Sequence, residues 1–143
     1  MLLLTRGNSG TNGMTESCFV LDTNAVIFLT TKGNVIPTNL LEELNETDLF
    51  ISVITEIELF SKPKMPPDEE DKLRAFISSR ILVIDLTNDI KNETIALRRA
   101  TKLKLPDCII AASAIVQNAA LLTADMELLR LNWSGFKAKT INK

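Results

Sequence analysis

Four short, mainly apolar runs punctuate the chain: CFVLD (18–22), DLFISV (48–53), ILVI (81–84) and ALLT (120–123). Runs of four to six residues without polar alternation read as strands buried on both faces. The stretches between them are long enough to hold helices, and strands alternating with helices pair in parallel because each crossover returns the chain to the same edge. The pattern predicts one three-layer α/β domain with a central, mainly parallel sheet of four to five strands flanked by helices. KAKTI (137–141) is the candidate fifth, edge strand.

Local signals place the helices. TNAVIFLTTKG follows the first run and stops at Gly33, and Pro37 and Thr38 open LLEELN. Ser52 begins ITEIELFSK, which Pro63 ends, and PPDEEDKLRAFISS (66–79) starts on acids as a helix N-terminus favours. Thr87 caps a helix predicted to run to about Lys104. Pro106 sits in the first turn of PDCIIAASAIVQN, whose Ala and Ile content predicts a buried helix, and ADMELLRL is a short one.

A chain of 143 residues fits a single domain with one sizeable core. Residues 1–14, rich in Gly, Asn, Ser and Thr, are expected to be a disordered lead. Their three leucines have no preceding charge and are expected to make a poor signal peptide, and Met14 is an alternative start. The folded domain is then expected at 15–143. No run approaches the ~18 apolar residues of a membrane span. Cys18 and Cys108 lie in apolar contexts and read as free buried thiols in a reducing cytoplasm, with a disulfide or metal site as the alternative. Sixteen Lys and Arg against 18 Asp and Glu leave a net charge of −2, so any nucleic-acid binding must come from a local patch or a metal.

There is no histidine. That excludes a Ser-His-Asp triad, a Cys-His pair and an imidazole-bound zinc. Four acids fall where strands end or helices begin. Asp22 ends the first run, Glu58 is in the second turn of the helix after the second run, Asp107 is in the first turn entered through Pro106, and Asp125 follows the fourth run. In open parallel sheets that edge carries the ligand crevice. Each acid also has a plain structural reading: Asp107 complements a helix dipole, Asp125 caps MELLRL, and Glu56 competes with Glu58 but projects from a different helix face. Asp22, directly after FVL, needs compensation for a buried charge. Four on one edge together form a candidate site for a hard divalent cation, Mg2+ or Mn2+.

The segments VLDTNAVI, ISVITEIELF, LPDCIIAASAI and LLTADMELL around these acids resemble the four signature segments of PIN-domain ribonucleases, most closely VapC-type toxins of toxin–antitoxin pairs. The resemblance spans roughly 17–141 and implies a PIN-like three-layer fold. It assigns Asp22, Glu58, Asp107 and Asp125 to an acidic metal-binding pocket for one or two Mg2+ or Mn2+ ions; Asp22 and Asp107 are expected as principal ligands, with Glu58 and Asp125 completing the second site or positioning water. Asn24 and Thr123 match polar residues that orient carboxylates or a water, and Glu127 a further supporting acid. Ser52 matches a helix-opening hydroxyl, for which capping suffices. Where the family often has Phe after that further acid this chain has Leu128, so the registration of Asp125 against Glu127 stays open.

The implied function is metal-dependent endoribonucleolytic hydrolysis in the cytoplasm. The implied partners are an RNA substrate, a small antitoxin protein and a second copy in a homodimer. Ile27, Phe28, Leu40, Leu44 and Phe60 are candidates for such surfaces, with core packing as the alternative. Arg98, Arg99, Lys102 and Lys104 form a basic cluster before Asp107, readable as a solvated face or an RNA contact, and Trp133 reads as a packing residue. Two other readings remain. One is a catalytically silent PIN-like scaffold binding RNA or protein, which loss of an acid would signal. The other is aspartate-based phosphoryl transfer, whose phosphatase form wants Asp where Asn24 stands.

Overall fold

The computed structural model describes residues 18–142, so the lead expected at 1–14 lies outside the described residues. Five strands form one sheet in the order β3-β2-β1-β4-β5, and every neighbouring pair is parallel. They are β1 (Cys18–Leu21), β2 (Asp48–Ser52), β3 (Ile81–Ile84), β4 (Ala120–Thr123) and β5 (Ala138–Thr140). Seven helices connect and cover them: α1 (Thr23–Thr30), α2 (Thr38–Asn45), α3 (Val53–Phe60), α4 (Pro67–Arg80), α5 (Asn88–Ala100), α6 (Leu105–Gln117) and α7 (Met126–Leu129).

β1 and β4 are buried along their whole length, which is why their sequences show no polar alternation. Successive residues feed opposite layers. Phe19, Leu21 and Leu122 pack with Leu29, Leu44 and Phe76, while Val20 and Leu121 pack with Ile90, Leu97 and Ile110. Each such large side chain stabilises the fold by about 1.5–3 kcal/mol relative to exposure. The chain runs from β1 outward through β2 to β3, then crosses back to place β4 on the other side of β1. The carboxyl ends of β1 and β4 are therefore the point where the winding reverses. Leu21 pairs with Leu122, so Asp22 and Thr123 leave the sheet side by side.

Two expectations need correction, and one open choice is settled. The helix from Thr87 stops at Ala100, not near Lys104. Thr101 turns extended (φ −131°, ψ 170°), its hydroxyl bonds the Leu97 carbonyl, and Leu103 is drawn into the core at 5% exposure. Of the five apolar residues considered as partner surfaces, Leu40 and Leu44 are core, because α2 turns its i, i+4 stripe onto the sheet. Phe28 and Phe60 are half-buried against the same core, leaving Ile27 exposed (52%). The run ILVI is not covered on both faces: β3 is an edge strand, with Leu82 (57%) and Val83 exposed. Both cysteines are buried thiols outside any disulfide, and no helix among the described residues is long and apolar enough to cross a membrane.

Candidate metal centre

Asp22 is the first residue after β1 and the N-cap of α1, and those two positions fix its carboxylate. Oδ1 accepts from the Thr23 backbone N–H at 2.8 Å. Oδ2 accepts from Thr123 Oγ1 at 2.7 Å and from Asn24 Nδ2 at 3.2 Å. The residue is 4% exposed, yet its charge has three donors, which answers the cost of burying it. Asn24 is oriented in turn, because its Oδ1 accepts from the Ala124 N–H at 2.9 Å. Thr123, fully buried, accepts from the Asp125 N–H at 3.0 Å through the same oxygen that donates to Asp22. Asp125 caps α7 by accepting from the Glu127 N–H at 2.9 Å. One hydrogen-bonded relay thus runs from Asn24 through Asp22 and Thr123 to Asp125.

Glu58 reaches the same edge from α3, whose start is capped by Ser52 accepting from the Ile54 N–H at 3.1 Å. Thr23 Oγ1 donates to Glu58 Oε1 at 2.6 Å and lies 3.3 Å from Thr55 Oγ1. Glu58 is exposed despite its apolar neighbours in sequence, and so is Ile57. Glu56 instead lines a separate hollow with Phe60 and Arg74. Sequence reasoning missed Thr23 and Thr55. The only signal was that Thr23 directly follows Asp22, and a threonine in a first helical turn normally reads as unremarkable.

Asp107 enters from the first turn of α6, half-buried. Burial first, and then repulsion by Asp22, Asp125, Glu58 and Glu127, pushes its carboxyl up from 3.8 to about 6. Burial likewise raises Asp22, opposed by the hydrogen bonds from Thr123 and Thr23 and reinforced by Asp125 and Glu58. The acids from four separate segments therefore lie close enough to feel one another. Proximity of this kind leaves negative charge to be neutralised from outside.

Among the described residues no group of three acidic or thiol side chains already closes into a metal cage. The donor set still suits one kind of ion. All the donors are hard oxygens, and Mg2+ keeps several of its waters while taking one or two carboxylates directly. A spread cluster of carboxylates fits that habit better than a tetrahedral zinc site. Beside it runs a groove of about 450 Å3 lined by Thr23, Ile27, Glu58, Leu59, Lys62 and Met65, among others.

Comparison with known proteins gives a consistent result. The PIN domain family matches residues 19–133. Among solved structures, VapBC2 from Rickettsia felis bound to a promoter DNA fragment superposes with a TM-score of 0.70 at 25% identity, covering 86% of this chain and 98% of that one. A toxin–antitoxin complex from Klebsiella pneumoniae gives 0.60 at 26% identity, over 82% of this chain and 93% of that one. DNA-bound VapBC from Salmonella typhimurium gives 0.63 at 25%, over 85% and 96% respectively. No curated protein matches the chain significantly.

Proposed function

The chain belongs to the PIN-domain family, and on that premise we propose that it is a Mg2+- or Mn2+-dependent endoribonuclease, the toxin of a toxin–antitoxin pair. The observation that carries the reading is the convergence of Asp22, Glu58, Asp107, Asp125 and Glu127 at the reversal point of the sheet, close enough that Asp22 and Asp107, both raised first by burial, also feel their neighbours' charge. Asp22 and Asp107 would be the principal holders of the ion, with Glu58 and Asp125 completing the set and Glu127 in support. A bound divalent ion would neutralise the cluster, attract the scissile phosphate and lower the pKa of a water at the site.

The chain's own residues supply the preorganisation. Thr123 and Asn24 hold the Asp22 carboxylate in one rotamer, so no reorientation is needed when substrate arrives. Thr23 ties Glu58 to the start of the same helix that Asp22 caps. Asp107, with a carboxyl near 6, is ionised at neutral pH but held under repulsion, which favours uptake of a cation over any internal partner. The solved relatives are toxin–antitoxin complexes, which supports a small antitoxin that covers the groove beside Thr23 and Glu58, where Ile27 is exposed.

The test is cleavage of RNA by the purified protein with Mg2+ and with EDTA. Asp22→Asn should abolish Mg2+-dependent cleavage while circular dichroism and melting show a folded protein. Undiminished cleavage by that variant would sink the site assignment.

A further inference from the structure

The molecule carries net negative charge, yet five of its 16 Lys and Arg residues lie close together at one joint. Between residues 91 and 104 lie Lys91, Arg98, Arg99, Lys102 and Lys104, with Glu93 the one acid among them. The joint connects α5 to α6 and ends three residues before Asp107. Lys104 is the N-cap of α6, the helix that carries Asp107 into the acid cluster.

The four-residue connection is held firmly. Thr101 caps α5 through its N–H to the Leu97 carbonyl at 3.0 Å and its hydroxyl to the same oxygen at 2.8 Å. Arg98 Nη1 donates to the Leu103 carbonyl at 2.8 Å, and the Leu103 N–H donates to Thr101 Oγ1 at 3.3 Å. Leu103 is buried as the anchor, so Lys102 and Lys104 on either side of it are both exposed, as is Arg99. Arg98 is therefore a structural clasp. Arg99, Lys102 and Lys104 make no ion pair among the described residues. A backbone fixed at this level presents the three cations without the ordering cost of a flexible loop.

We propose that Arg99, Lys102 and Lys104 form a phosphate track that holds an RNA strand beside Asp107 and feeds it to the acid cluster. The inference rests on the ribonuclease reading above and gives that site its substrate path. The charge logic requires something of this kind: a cluster of acids repels a polyanion until metal is bound, so the strand needs a separate grip close by. Side chains reaching phosphates position the strand without reading its sequence. These three are positioning residues.

The experiment measures binding of a fluorescently labelled, unstructured RNA oligonucleotide by anisotropy, with Ca2+ in place of Mg2+ to hold cleavage off, from 50 to 200 mM salt. Each phosphate contact contributes about −0.7 to the slope of log K against log salt for a single strand. The variant R99A/K102A/K104A should flatten the slope by about 2, a difference of about 20-fold in salt sensitivity over that range. Each single substitution should remove about one third of this. Lys139→Ala, on β5 and paired with Glu43 at 2.7 Å, should leave the slope as it was. In Mg2+ the triple variant should raise KM at least tenfold with kcat within about twofold. An unchanged slope in the triple variant, with RNA still bound and cut, overturns the track and leaves the nuclease reading standing. Loss of antitoxin binding with RNA binding intact overturns it in favour of a protein surface. A wild-type protein that neither binds nor cuts RNA overturns both.

Discussion

Replacing Asp107 by asparagine should stabilise the metal-free protein. The side chains are nearly isosteric, so the change removes charge with little change in packing. The Asp107 carboxyl titrates near 6 in the folded state against 3.8 ordinarily. Between those values the folded state holds the proton more tightly than the unfolded one, so the stability tied to this group is present below pH 4 and lost as pH rises to about 6. At 1.36 kcal/mol per pH unit the whole gap corresponds to about 3 kcal/mol, an upper bound. The side chain is only half-buried, and solvent screening brings the expected gain of Asp107→Asn to about 1–2 kcal/mol at pH 8. With a urea slope of about 2 kcal/mol/M, the midpoint should rise by roughly 0.5–1 M in EDTA at pH 8. At pH 3.5 the two midpoints should converge. Added Mg2+ should stabilise wild type more than the variant, reversing part of the difference. Equal midpoints at pH 8, or a variant weaker at both pH values, would refute the idea that burial, reinforced by repulsion within the cluster, disfavours this carboxylate in the fold.

Two further outcomes follow from the hydrogen bonds. Thr123→Val strips the Asp22 carboxylate and the Asp125 N–H of the same buried hydroxyl. It should cost about 2–3 kcal/mol and lower the melting temperature by roughly 6–12 °C in calorimetry. A loss below about 0.5 kcal/mol would mean the relay does not hold Asp22. Glu58→Gln keeps the acceptor that Thr23 uses but removes the charge, so cleavage should fall at least tenfold and the Mg2+ requirement rise, whereas Glu56→Gln in its separate hollow should behave as wild type. Equal loss from both would show that α3 acts through its overall charge instead.

Much of this architecture could be read from the chain, and the parts that could not share a physical cause. Continuous apolar runs report burial, so β1 and β4 were plain. They carry no record of which strand lies beside which, so ILVI looked as interior as ALLT although Leu82 and Val83 stand at the sheet's edge. The end of α5 was hidden because Lys102 and Lys104 are good helix formers, and the break is imposed by Leu103 seeking the core and by Thr101 bonding back to Leu97. The four acids showed themselves through their position at element ends. Thr23 did not, since its role exists only after α1 and α3 pack and bring Glu58 to it.

The bond from Thr123 to Asp22 spans 101 residues of chain. A polypeptide emerging from the ribosome presents Asp22, Asn24 and Glu58 early, but the strand that locks Asp22 in place does not yet exist. β1, the central strand, must wait with one side open until β4 arrives to pair with it. Under the toxin reading proposed above, that order of assembly would act as a delay. The Asp22 carboxylate therefore gains its Thr123 donor only once β4 is in place, near the end of synthesis.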